Sequence, residues 1–135
     1  MAVIDPTKYN SDFTKFHNLN PKMRRDISLT DLDAIQFRIQ DDGSERIRFI
    51  EYKHNNEPQR KMQNEILKRF MAFIPDVNRL SENIQFELYM IICDFEKNHL
   101  IGVATVYNLI KKRSKIINED QLISLLNFDI NWEDL

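Results

Sequence analysis

The four residues Asp41-Asp42-Gly43-Ser44 constrain this chain more than any others. They separate two runs that alternate with period two, and Asp-Gly in that setting is a strong hairpin signal. In the first run Ile27, Leu29, Asp31, Asp33, Ile35, Phe37 and Ile39 share a face, and in the second Ile47, Phe49, Glu51 and Lys53 do. With the loop centred on Asp42, Asp33 stands opposite Glu51 and Asp31 opposite Lys53. A slip of one pair leaves Asp33 beside Lys53. Two carboxylates and a lysine therefore project from neighbouring strands at one level, at the end of an apolar row where an ornamental ion pair would incur a desolvation cost.

Such a cluster suits phosphate chemistry. Hard carboxylate oxygens, completed by water and substrate phosphate, are what Mg²⁺ prefers. A metal so held acidifies bound water, and a neighbouring ammonium stabilises charge developing on a phosphate. Without a cation, acids packed this closely would have raised pKa values. Both aspartates point the same way. Asp33 is the first choice as ligand, with Asp31 behind it as an ion-pair or supporting group.

An aspartate ending one strand, Glu51-x-Lys53 on the next and a glutamine early in the following helix resemble the PD-(D/E)XK nuclease superfamily. Thr30-Asp31-Leu32-Asp33 stands where that family carries its Pro-Asp or equivalent, and Gln63 where several branches carry a helical glutamine. The resemblance covers roughly residues 25–75. It implies a small restriction-endonuclease-like or Holliday junction resolvase-like protein: an Mg²⁺- or Mn²⁺-dependent nuclease acting on DNA, often homodimeric, virus-borne or carried by a mobile element. Asp33 and Glu51 would bind metal, Lys53 would position or activate water, and Gln63 would orient a ligand or water, with Gln59 and Asp31 in support. Many members add an acid from the first helix. Here the acids before Asp26 are Asp5 and Asp12 alone, which leaves that ligand unassigned.

The formal charge of −2 gives no general attraction to nucleic acid, but charge is unevenly placed. Lys8, Lys15, Lys22, Arg24 and Arg25 face one acid, Asp12, over residues 8–25, and Lys111, Lys112, Arg113 and Lys115 form a second basic run. Glu119, Asp120, Asp129, Glu133 and Asp134 follow unopposed. The basic runs are either phosphate-tracking segments or ordinary solvated faces. Lys8, Lys22, Arg24, Arg25, Arg60 and Lys61 are the candidate backbone contacts. Cys93 is the sole cysteine, so no intramolecular disulfide or thiolate cluster forms. The expected setting is intracellular and cytoplasmic, without a membrane span. The three histidines are isolated from one another, and two glycines exclude a phosphate-cradling glycine loop.

At 135 residues the chain is expected to form a single domain, with 128–135 a short acidic tail bearing Trp132. A first helix is expected from Ser11 to before Pro21. The hairpin strands are expected over 27–40 and 46–54, and a second helix over 57–73, ended by Pro75-Asp76. Ile84 to Phe95, apolar on both faces, reads as a central strand, and Leu100 to Ile110 as its neighbour. Ile116-Ile117 is either an edge strand or a lead into a last helix, for which Asn118 and Gln121 supply a capping box. The class is α/β (α+β), a restriction-endonuclease-like mixed sheet flanked by helices in the order α-β-β-α-β-β-α. Two rival functions remain: a non-catalytic nucleic-acid-binding relative, and an unrelated protein-binding domain that uses its acidic, Trp-bearing tail.

Overall fold

The computed structural model describes residues 16, 19–22, 24, 26, 33–58 and 61–135. The chain divides into two compact units, Met1–Asp31 and Leu32–Leu135. In the first, Phe16 and Leu19 are helical, Asn20 N–H donates to the Phe16 carbonyl at 3.2 Å, and Arg24 pairs with Asp26 at 2.5 Å. The remainder of the helix expected after Ser11 lies outside the described residues.

The second unit is a five-stranded mixed sheet, ordered β1-β2-β3-β4-β5, with helices on its two faces. Its strands are β1 (Ala34–Ile39), β2 (Glu45–Lys53), β3 (Ile84–Glu96), β4 (His99–Asn108) and β5 (Arg113–Ile117). Helix α1 (Lys61–Leu80) joins β2 to β3, helix α2 (Glu119–Leu126) follows β5, and a 3₁₀ turn covers Trp132–Asp134. The described order is thus β-β-α-β-β-β-α, one strand more than expected, because Arg113–Ile117 pairs with β4.

The hairpin forms where the sequence places it. Ala34 pairs with Ile50 and Ile39 with Glu45, which centres the loop on Asp42. Gly43 takes the left-handed conformation (φ 85°) the turn requires, and Asp42 Oδ1 accepts from Ser44 N–H at 2.9 Å. β1 is shorter than expected, beginning at Ala34, and residues 27–32 lie outside the described set. The β3–β4 connection is a two-residue turn in which Lys97 and Asn98 both have positive φ, as the twist of a tight hairpin demands.

β2 and β3 run parallel across α1, and β3 is buried on both sides, with Leu88, Tyr89 and Cys93 at 0–1% exposure. On the α1 face, Leu67 and Ile74 pack on Leu88, with Phe49, Phe70, Met71 and Phe86 around them. On the α2 face, Ile50, Tyr89, Ile91, Val106, Leu122 and Leu125 form the other core with Trp132. The expected capping box starts α2: Asn118 Oδ1 accepts from Gln121 N–H at 2.9 Å and Gln121 Oε1 from Asn118 N–H at 3.0 Å.

Three expectations about the elements are corrected. α1 does not end at Pro75 but continues to Leu80. An interior proline costs a helix about 3 kcal/mol, whereas burying Ile74 alone returns about 1.5–3. Asn78 adds two bonds to the Phe86 backbone, at 2.9 and 2.8 Å, so tertiary contacts carry the helix through. Pro58 lies before α1 rather than in its first turn, since the helix begins at Lys61. The last residues are not a free tail: Trp132 is buried beside Tyr89 at 5.9 Å, and Lys115 Nζ donates to the Trp132 and Leu135 carbonyls at 2.8 and 3.0 Å.

Candidate active site

Strand alternation sends Phe49, Glu51 and Lys53 to the α1 face of β2, and the row runs from apolar to charged as the strand leaves the core. Glu51 and Lys53 are only 2% and 3% exposed. Charged side chains so deep need partners, and Gln63, on the buried stripe of α1, supplies one to each. Gln63 Nε2 donates to Glu51 Oε1 at 2.5 Å, and Gln63 Oε1 accepts from Lys53 Nζ at 2.7 Å. One amide thereby satisfies an acid and an ammonium at once.

Asp33 lies one step beyond the last β1–β2 pair, on the line that extends to Glu51. Its Oδ2 accepts the Tyr52 backbone N–H at 2.7 Å, which fixes the carboxylate against β2. Asp33 is exposed where Glu51 is buried, so the pair opens to solvent on the Asp33 side.

The electrostatics are those of acids forced together. Burial, then the neighbouring Asp33 carboxylate, push Glu51 up to about 8, against the opposing pull of Lys53 and Gln63. Glu51 Oε2 is the one buried side-chain nitrogen or oxygen without a hydrogen-bond partner among the described residues. An orphaned carboxylate oxygen beside a second carboxylate has the chemistry that a hard cation selects. No group of three or more His, Cys, Asp or Glu side chains gathers among the described residues.

The structure brings together four of the expected site residues, Asp33, Glu51, Lys53 and Gln63. Asp31, Gln59, Arg60, Lys8 and Arg25 lie outside the described residues. Of the expected backbone contacts, Lys22 and Lys61 are exposed and Arg24 is paired with Asp26. In the second basic run Lys111 is paired with Glu133 and Lys115 is spent on the C-terminal carbonyls. Its strand, β5, lies three strand spacings from β2, about 14 Å away.

Sequence reading missed a polar cluster just past Lys53. Asp94 accepts from Asn55 N–H at 3.3 Å and Asn55 Nδ2 at 2.9 Å, and stands 3.5 Å from His54 Nδ1. The available signal was an aspartate inside the apolar run Ile91-Ile92-Cys93-Asp94-Phe95.

No protein-family model matches the chain, and no curated protein or solved structure matches it either. Among the described residues no helix is long and apolar enough to cross a membrane.

Proposed function

We propose that the protein is a metal-dependent nuclease that hydrolyses phosphodiester bonds in DNA, on a PD-(D/E)XK-like scaffold. The observation that carries this reading is the buried, partnerless Glu51 Oε2 facing Asp33, with Lys53 held alongside by Gln63. Asp33 and Glu51 would hold Mg²⁺ or Mn²⁺, which when bound supplies a polarised phosphoryl oxygen and an acidified water. The chain's own groups do the remainder. Lys53 donates to the attacking water or to the oxygens on which charge develops. Gln63 keeps that ammonium and the Glu51 carboxylate from collapsing into a closed pair. The exposed flank at Asp33 admits the phosphate. A water oxygen attacks phosphorus, one P–O ester bond breaks, and the departing oxygen takes a proton. A two-subunit assembly, as in the resolvase-like members, suits a substrate with two strands to cut.

The test is cleavage of linear, nicked, single-stranded and four-way-junction DNA with Mg²⁺ or Mn²⁺. Cleavage disappears in Glu51→Gln and Lys53→Met while unfolding followed by Trp132 emission remains cooperative. Salt-sensitive DNA retention without cleavage in either metal ends the catalytic reading. It leaves the second one, a non-catalytic nucleic-acid-binding module.

A further inference from the structure

A cavity of about 480 Å³ lies toward the starts of β2 and β3, with Arg46, Glu87, Tyr89, Asn108, Lys111 and Trp132 in its lining. That volume is within the range of small-molecule sites. Arg46 is five residues before Glu51 on β2, about 17 Å along the strand, and on the opposite face. The cavity is therefore separate from the Asp33–Glu51 site, and a ligand bound in it is independent of the nuclease reading.

Two of its lining residues carry spare donors. Asn108 is 6% exposed and spends its Oδ1 on the Ile110 and Lys111 N–H groups, at 3.2 and 3.1 Å. Trp132 is 4% exposed, its ring packed on Tyr89 and under Lys115. Neither Asn108 Nδ2 nor the Trp132 indole N–H has a protein acceptor among the described residues. Yet Glu51 Oε2 is the only sealed-off polar atom without a partner among those residues, so both donors remain accessible. Nearly buried residues with unspent, reachable N–H groups are what a ligand's acceptors would engage.

Charge decides the class of ligand. Arg46 and Lys111 are spent on Glu87 and Glu133. Asp42, Glu45 and Glu82 also line the cavity and pair with no cation among the described residues, which disfavours a phosphate or carboxylate. Phe86, Tyr89, Ile110 and Trp132 supply its apolar lining. We infer that this cavity binds a neutral heterocycle of nucleoside size. Its carbonyl or ring-nitrogen acceptors take the Asn108 and Trp132 N–H groups, and its exocyclic amine faces the unpaired carboxylates.

Trp132 is the chain's only tryptophan, so its emission reads the site directly. Cytidine is the probe, with uridine lacking the amine and cytidine 5′-monophosphate adding the anion. Cytidine gives a saturable change in emission at millimolar concentration, and uridine and the monophosphate bind at least about tenfold more weakly. Asn108→Asp keeps the acceptor that holds the Ile110 and Lys111 amides but removes the donor, and weakens cytidine at least about tenfold with an unchanged urea midpoint. Trp132→Phe, followed by calorimetry, weakens it too. Glu51→Gln leaves cytidine binding intact, which keeps this outcome distinct from loss of the metal site. The inference is overturned by no saturable response to cytidine, by monophosphate binding as tightly as the nucleoside, or by undiminished binding in both variants.

Discussion

Asp33 and Glu51 face each other one step past the end of the β1–β2 ladder, and Asp33 helps to hold the Glu51 carboxyl up at about 8. The fold brings two like charges together and buries one of them. Such an arrangement destabilises the metal-free chain wherever both are ionised.

The first prediction concerns stability against pH. Glu51 has a folded pKa of about 8 against 4.5 for the free side chain, so the folded state binds the extra proton between those values. Its contribution is fully present below pH 4.5 and is lost as pH rises through about 8. Urea unfolding of the metal-free protein should show this loss, on the order of 5 kcal/mol. Glu51→Gln, which cannot ionise, should flatten that limb. An equal decline in the variant would remove Glu51 as its source.

The second prediction follows from competition between a proton and a cation for the same oxygen. Mg²⁺ or Mn²⁺ binding should release close to one proton near neutral pH, seen by calorimetry in buffers of different ionisation enthalpy. Affinity should rise with pH until Glu51 is ionised. In Glu51→Gln the release should vanish, and Asp33→Asn should weaken binding without removing the pH dependence of stability entirely, since burial is the larger cause of the Glu51 shift.

The third prediction isolates Gln63. Removing its amide in Gln63→Ala strands Glu51 Oε1 and Lys53 Nζ together, and a buried group left unpaired costs about 1–3 kcal/mol, more when charged. Combining it with Lys53→Met in a double-mutant cycle should give a coupling well above the scatter of independent sites, about 0.5 kcal/mol. Simple additivity would mean that Gln63 does not hold Lys53.

The parts of this fold legible in the sequence are those set by local chemistry. Asp42-Gly43 fixed the hairpin, its centre fixed the register, and the register set Asp33 against Glu51. The Asn118–Gln121 box is likewise written in four residues. What was not legible depends on distant partners. Pro75 reads locally as a stop, and only Leu88 and Phe86, on a later strand, keep α1 intact beyond it. Trp132 reads as exposed among acids until Tyr89 and Lys115 are placed around it. Arg48 is fully buried, with partners on α2 and β3, distant in sequence, that no local pattern places beside it.

The last prediction concerns that arginine. Arg48 donates to the Leu125 carbonyl at 2.7 Å and Gln36 Oε1 at 3.1 Å, pairs with Glu87 at 3.2 Å, and lies against the Phe128 and Tyr89 rings at 4.1 and 5.0 Å. It joins the end of α2 to the sheet. Burial pushes Glu87 up, but Arg48 and Arg46 outweigh it and leave the acid below its ordinary value. The sign is opposite to that of Glu51: this stability is present above the unfolded pKa and is lost as pH falls through the folded one. The wild-type chain should therefore weaken on both sides, through Glu87 as pH falls into the acid range and through Glu51 as pH rises from 4.5 to about 8. Arg48→Met should cost about 3–5 kcal/mol at neutral pH, because it leaves a buried acid short of a partner. It should also move the acid limb upward in pH while leaving the Glu51 limb in place. Urea midpoints across a pH series resolve the two limbs, and a variant that shifted both together would show that the Arg48–Glu87 pair and the Asp33–Glu51 site are not independent.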